Sequence, residues 1–260
     1  MGVLNVTPDS FSDGGLWSSA ENAIRHAECL IEQGADIVDI GGESTRPGSK
    51  PVSAAEEIRR IMPVIEALVD MNVRVSVDTS KPEVMLASIE AGAAMINDVK
   101  ALQAPGALKA VAEGRVAACL MHMQGEPRSM QANPHYGNVV TEVKDFLRDR
   151  VDSAKAAGIP LEHLVIDPGF GFGKTLEHNI ELFRHLDSFL DIGATLMVGL
   201  SRKSMLGKIT GNEVGDRVHA SVAGALLALT KGARIFRVHD VKATRDAIAV
   251  YNAINGQPVR

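Results

Sequence analysis

Only two cysteines occur in the 260 residues, Cys29 and Cys119, and they form no CxxC pair. That scarcity argues against a disulfide framework or a thiolate ligand set. Cys29 is expected on an apolar helix face and Cys119 inside an apolar strand, both as buried thiols. A reducing, cytoplasmic setting fits such usage. Long hydrophobic runs are missing too: none approaches the roughly 18 residues that a membrane span needs. The N-terminus lacks a basic region followed by an apolar stretch, so no signal peptide is expected. Val6 stands where a myristoylated Met-Gly start needs Ser or Thr. Excess positive charge is also absent. A formal net charge of −5 excludes sequence-independent binding to nucleic acid, which needs clustered Lys and Arg. The histidines show no HExxH or paired-ligand spacing, so no zinc site is expected.

What is present is a globular composition, 45% hydrophobic and 23% charged, enough to bury a full core. Short continuous apolar runs recur along it: Met1–Val6, Ala35–Ile40, Val73–Asp78, Ala93–Asn97, Val116–His122, His163–Asp167, Ala194–Gly199 and Ala233–Val238. Runs without alternation are what strands buried on both faces look like. Segments of helical spacing follow them. Ser53 with Glu56 reads as a capping box before the stripe Ile58, Ile61, Ile65 and Leu68. Helical patterns also fit Ala20–Gln33, Pro82–Ala91, Pro105–Glu113, Asn138–Ala157, Leu176–Leu190, Asp216–Lys231 and Val241–Ile254. Gly34, Gly92, Gly114, Gly158 and Gly232 follow five of the helices, where a left-handed cap favours glycine. Eight βα units in about 250 residues predict a (β/α)8 TIM barrel, with 1–260 as one domain. An open doubly wound sheet is the structural alternative.

Each apolar run ends in polar residues: Asn5, the loop Glu43–Gly48, Asp78, Asn97, His122, Asp167, Ser201–Lys203, and Arg237 with His239. Barrel enzymes place their chemistry at this rim. Taken singly, Asn97 or His122 reads equally well as a satisfied structural group. The long loops Thr7–Ser18, Gly41–Val52 and Met123–Gly137 suggest lids. Asp78 and Asp167, with Asn97 between them in sequence, suit a flat heterocycle with adjacent N–H donors, since a carboxylate accepts two parallel bonds. Helix capping by the aspartates, or a general acid/base pair, are the competing readings. Lys203, Arg237 and His239 are expected on the opposite side, in the phosphate-binding quarter, suited to a polyanionic leaving group. Phe172 offers a ring face, or plain core packing. GFGFGKT at Gly169–Thr175 imitates a P-loop, but Pro168 stands where that motif needs its first glycine.

Seven motifs then carry a resemblance. NVTPDSFSDGG (Asn5–Gly15), GESTRPG (Gly42–Gly48), VDTSKPEV (Val77–Val84), NDV (Asn97–Val99), DPGFGFGK (Asp167–Lys174), SRKS (Ser201–Ser204) and RVHDV (Arg237–Val241) resemble the dihydropteroate synthase family, in order and over essentially the whole chain. The resemblance implies condensation of 4-aminobenzoate with a dihydropterin diphosphate, releasing pyrophosphate. It implies that Asp78, Asn97 and Asp167 hold the pterin, Asp167 on its amino-pyrimidinone edge, in a slot lined by Val99, Met121 and Gly199. Lys203 would touch the pterin and border an aminobenzoate pocket with Ser201 and Phe172. Arg237, His239 and Asn5 would bind the pyrophosphate, the Asn5 oxygen on Mg²⁺. Thr45, Arg46 and Pro47 would close over the site, and Phe11 and Asp13 would shield a cationic CH2 group. The last two helices (Leu226, Leu227, Leu229, Ile248, Tyr251, Ile254) would form a homodimer face. The given sequence departs from the family at its start: related chains usually carry a short stretch before the first strand that helps cover the barrel's bottom, and here Met1 opens the strand itself. Rival readings are a pterin-dependent methyltransferase, which would not be expected to carry STRPG, SRKS and RVH, and a silent pterin-binding scaffold.

Overall fold

A computed structural model describes residues 1–6, 15–44, 51–126 and 129–258, with backbone alone over 15–19. Eight parallel strands lie side by side in sequence order: β1 Gly2–Asn5, β2 Val38–Gly41, β3 Val75–Asp78, β4 Met95–Asp98, β5 Ala117–Met121, β6 Leu164–Asp167, β7 Thr195–Val198 and β8 Ile235–Phe236. Between them run α1 Gly15–Glu32, α2 Ala54–Asp70, α3 Pro82–Glu90, α4 Ala107–Gly114, α5 Val139–Ala156, α6 Leu176–Arg184, α7 Ser204–Thr210 and α8 Val218–Thr230, with α9 Val241–Ile254 after β8. The sheet is strongly curled, and its two edges touch at a single point. The Val3 N–H donates to the Val238 carbonyl and the Val238 N–H to the Met1 carbonyl, each at 3.0 Å. Among the described residues that contact is an isolated bridge, Gly2 to Val238, and not a strand ladder.

Each of the eight apolar runs coincides with a strand shorter than the run, β2 and β4 reaching one residue past the ends of theirs. At the C-terminal end β8 is reduced to two residues, because Val238 turns its backbone to the first strand. The α6 pattern stops at Arg184 and continues as a 3-10 turn, Leu186–Ile192. The helix α7 carries too few residues for a periodic signal and was not expected. At α2 the Ser53 hydroxyl accepts from the Glu56 N–H at 3.2 Å. The expected box is only half made, since the Glu56 carboxylate turns to Arg59 and Arg60; the reciprocal box is at Thr175 and His178. Gly114 is not a left-handed cap either. Arg115 takes that conformation (φ 55°), and Gly114 is held small because a Cβ there would meet Ile89 at 2.6 Å.

Strand residues alternate between two environments, as a period of two requires. Leu4, Val38, Ile40, Val75, Val77, Ile96, Leu120, Ile166 and Val198 face the helices and join one large buried cluster. Each fully buried Leu, Ile or Val contributes on the order of 1.5–3 kcal/mol. The alternate residues face inward, where Met95, Cys119, Val165 and Met197 form a separate cluster with Ile235 packed against it. Cys119 is buried as expected, whereas Cys29 is exposed, because it falls beside the apolar stripe of α1 formed by Ala23, Ala27 and Leu30.

Candidate active site

The inner apolar layer positions the site. Two residues beyond Met95, Cys119, Val165, Met197 and Ile235 stand Asn97, Met121, Asp167, Gly199 and Arg237, and all five line one cleft. The same step from buried Ser76 gives Asp78, which joins them. Val99, Phe172, Ser201, Lys203 and His239 complete the lining. Two inward positions are glycine. A Cβ on Gly199 would stand 3.6 Å from Asp167 Oδ2, and one on Gly41 would stand 3.7 Å from Asn5 Oδ1. Leaving these positions without side chains keeps room for a flat ligand above the apolar floor.

Asp39 of β2, fully buried, lies one layer below the rim. Its Oδ2 accepts from Arg237 Nε at 2.6 Å and from Asn97 Nδ2 at 3.0 Å. Arg237 also donates through Nη2 to Asp78 Oδ2 at 2.8 Å. Burial pushes the Asp78 carboxyl up to about 7, against the opposing pull of Arg237 and with Asp39 adding to the rise. For Arg237 burial works against the charge, yet Asp39 and Asp78 outweigh it and the guanidinium is held above its ordinary range. The expected separation into two opposite sides is therefore corrected at this point. Arg237 spans the cleft floor and touches the carboxylate wall directly.

On the other wall, Asp167 Oδ1 accepts the Gly169 N–H at 2.8 Å. Burial raises the Asp167 pKa, with Lys203 and the Gly169 bond offsetting it. Lys203 donates to the Phe170 carbonyl and lies over the Phe172 ring, 4.2 Å from its centroid, within cation–π range. Burial brings this lysine down to about 8, Asp167 opposing the shift. Ser201 Oγ accepts from the His239 N–H and approaches His239 Nδ1, both at 3.1 Å. Between Ser201 and Lys203, Arg202 adopts φ 60° and pairs with Asp240 at 3.0 and 2.5 Å, tying the loops after β7 and β8 together.

Of the residues singled out from the sequence, Asp78, Asn97, Val99, Met121, Asp167, Phe172, Gly199, Ser201, Lys203, Arg237 and His239 share this cleft. Asn5 ends β1 beside Gly41. Phe11, Asp13, Thr45, Arg46 and Pro47 lie outside the described residues. His122 does not line the cleft; it is buried behind it against Lys174. Three partners were missed. Asp39 sits inside an apolar run, and a lone carboxylate at an inward strand position was the signal for a buried ion pair. Lys81 bridges Glu43 and buried Glu57 at the foot of the GESTRPG loop. Asp98 caps the turn after β4, accepting from the Lys100 and Leu102 N–H groups at 2.7 and 2.8 Å, and this holds Ala101 and Leu102 at positive φ.

Asn5 offers one neutral oxygen, and the described residues contain no group of three His, Cys, Asp or Glu side chains able to hold a metal. Its surroundings fit a hard cation only if a polyanionic ligand and water supply most of the shell. The cleft as a whole offers carboxylate acceptors, an aromatic face and several cations within one opening. That set can grip a planar N–H-bearing ring and stabilise negative charge beside it.

Comparison with known proteins agrees. The family model described as pterin binding enzyme matches residues 1–239. The dihydropteroate synthase of Haemophilus influenzae is 49% identical over 97% of this chain and 92% of its own length. The solved dihydropteroate synthase of Xanthomonas albilineans with 4-aminobenzoic acid is 52% identical, with a TM-score of 0.93, over 99% of this chain and 93% of that one. The Yersinia pestis enzyme in a sulfonamide complex is 48% identical with a TM-score of 0.93, over 98% and 94%.

Proposed function

The chain belongs to the pterin-binding enzymes, and within them to the dihydropteroate synthases; from that premise we propose how its cleft divides the work. The activity joins 4-aminobenzoate to a dihydropterin carrying a CH2–diphosphate, releasing pyrophosphate and forming 7,8-dihydropteroate. Asp167, Asn97 and Asp78 hold the pterin by its N–H edges, between Met121, Val99 and the open Gly199. Lys203, Phe172 and Ser201 border the aminobenzoate pocket, with Thr45, Arg46 and Pro47 closing over it. Arg237, His239 and Asn5 bind the diphosphate. The observation that carries this division is the rim layer itself, which sets Asp167 and Asn97 beside Lys203 and Arg237 in one cleft.

An aryl amine is a weak nucleophile, so the site gains most by easing departure of the leaving group. Arg237 and His239 stabilise charge developing on pyrophosphate, an electrostatic role that is usually the largest contribution. The conjugated pterin spreads positive charge from its CH2, and pyrophosphate leaves before the amine attacks. Phe11 and Asp13 shield that cation. Asn5, together with the diphosphate, would hold a Mg²⁺ ion, which would supply further charge neutralisation. We read 1–260 as one pterin-binding (β/α)8 barrel domain, closed where Val238 meets β1. The free thiols Cys29 and Cys119 support a cytoplasmic home, and among the described residues no helix is long and apolar enough to cross a membrane.

The test is pyrophosphate release from the dihydropterin diphosphate, with and without 4-aminobenzoate and Mg²⁺. Aminobenzoate-dependent turnover is expected, with sulfonamides competing against 4-aminobenzoate. Folded protein without that turnover would return the chain to a pterin-binding scaffold.

A further inference from the structure

One buried lysine has no part in the chemistry above, and burial holds its pKa well below the ordinary lysine range. Lys174 closes the GFGFGK loop and is only 2% exposed. Its Nζ meets His122 Nδ1 at 2.9 Å, the carbonyls of Gly169 and Phe172 at 3.0 Å each, and the His122 carbonyl at 3.3 Å. The resemblance of this stretch to a P-loop would send the lysine outward to a phosphate. Here it points inward and gathers the loop around itself. Burial drives the His122 pKa down to about 3, with Lys174 nearby adding to the fall, so the imidazole is neutral and Nδ1 is free to accept.

Other contacts show how closely this loop is fitted. A Cβ on Gly169 would stand 1.9 Å from the His122 carbonyl oxygen, and one on Gly173 would stand 2.3 Å from that of Gln124. The Tyr136 hydroxyl donates to the Gly173 carbonyl at 2.9 Å, and Asn179 Oδ1 accepts the Gly171 N–H at 2.7 Å. The same loop holds Lys203: Phe170, buried in the core, through its carbonyl, and Phe172, which lines the cleft, through its ring.

We propose that Lys174, seated on His122, is a positioning residue that sets the Phe170 carbonyl and the Phe172 ring, and through them aims Lys203 at the aminobenzoate pocket. The assignment of that pocket rests on the function proposed above; the loop geometry does not. Removing the Nζ donor frees two loop carbonyls at once, so the loop shifts while Asp78 and Asn97, on the far strands, stay in place.

The experiment compares Lys174→Met, which keeps the stem, with His122→Phe, which keeps a ring against Phe146 (5.0 Å between centroids) and removes the acceptor. Expected is a rise of about tenfold or more in KM for 4-aminobenzoate, with KM for the dihydropterin diphosphate changing about threefold at most. His122→Phe follows in the same direction, less strongly. Amide hydrogen exchange of Gly171 and Phe172 is expected to quicken in both variants, with the β3 and β4 amides unchanged. Equal rises in both KM values, or an unchanged exchange rate in the loop, overturns the inference. Should Lys174→Met fail to fold, His122→Phe decides alone. Faster loop exchange in a protein without aminobenzoate-dependent turnover would leave the positioning role standing and remove the functional reading instead.

Discussion

At the scale of single residues, burial sets the working pH. Asp78 is pushed up to about 7, burial leading and Arg237 opposing, so its carboxylate forms only above that value. Burial brings Lys203 down to about 8, Asp167 opposing, so its ammonium survives only below that value. Both groups carry their charge in the window between the two. We expect kcat/KM for the dihydropterin diphosphate to peak there and to fall on either side, since kcat/KM reports the free enzyme's titrations. A profile that stays flat from about pH 6 to about pH 9 would exclude this pairing of groups. Asp167 supports a second prediction. Replacing it by alanine removes charge-assisted acceptors from the pterin wall, worth about 1.5–3 kcal/mol. Calorimetry is therefore expected to show a loss of roughly ten- to a hundredfold in pterin affinity, with aminobenzoate affinity in the presence of pyrophosphate reduced far less. Losses of equal size would remove Asp167 from the ring edge.

At the scale of elements, the loop after β6 is the least forgiving part of the rim. Gly169 combines φ 70° with a carbonyl oxygen in the place of a Cβ, so Gly169→Ala is expected to cost about 3 kcal/mol or more. Gly158 has φ 94° but nothing within 4 Å of its Cβ position, and Gly158→Ala should cost only about 1–2 kcal/mol of left-handed strain. Urea unfolding of the two variants separates steric fit from backbone conformation; similar losses would mean that the loop yields. The elements were legible in the sequence wherever their signal is local. Apolar runs predict strands because both faces are buried, and the helix starts at Ser53 and Asn138 follow from side chains that cap their own backbone. The short α7 and the ends of the strands were not legible, because too few residues repeat to define a period and neighbouring strands decide where pairing stops.

At the scale of the molecule, the proposed homodimer face divides in two. Leu229 and Ile248 pack against the core, whereas Leu227 and Ile254 are 57% and 78% exposed, with Val250 at 59% beside them. Those three exposed side chains on α8 and α9 are the part available to a partner. Sedimentation is expected to give about twice the chain mass of 27.7 kDa, and Leu227→Glu is expected to shift it towards the monomer while leaving the cleft intact. A monomer for the parent chain at high concentration would rule the face out.

The sequence by itself determined the order of eight units and, through its motifs, most of the polar side chains at the rim, because apolar runs and strand-end residues are local signals; which strand residues face inward was settled by the sheet, since runs buried on both faces show no alternation. The residues lining the cleft, from Asp78 to His239, are those that the motifs single out. Only the tertiary structure decided how these residues are paired. Asp39 and Arg237 stand 198 positions apart, Asp78 and Arg237 159, and Lys174 and His122 52. No local pattern links such pairs; the Arg237 pairs meet because the sheet curls, Lys174 and His122 because β5 and β6 lie side by side, and a buried charge must then take the partner that the fold delivers.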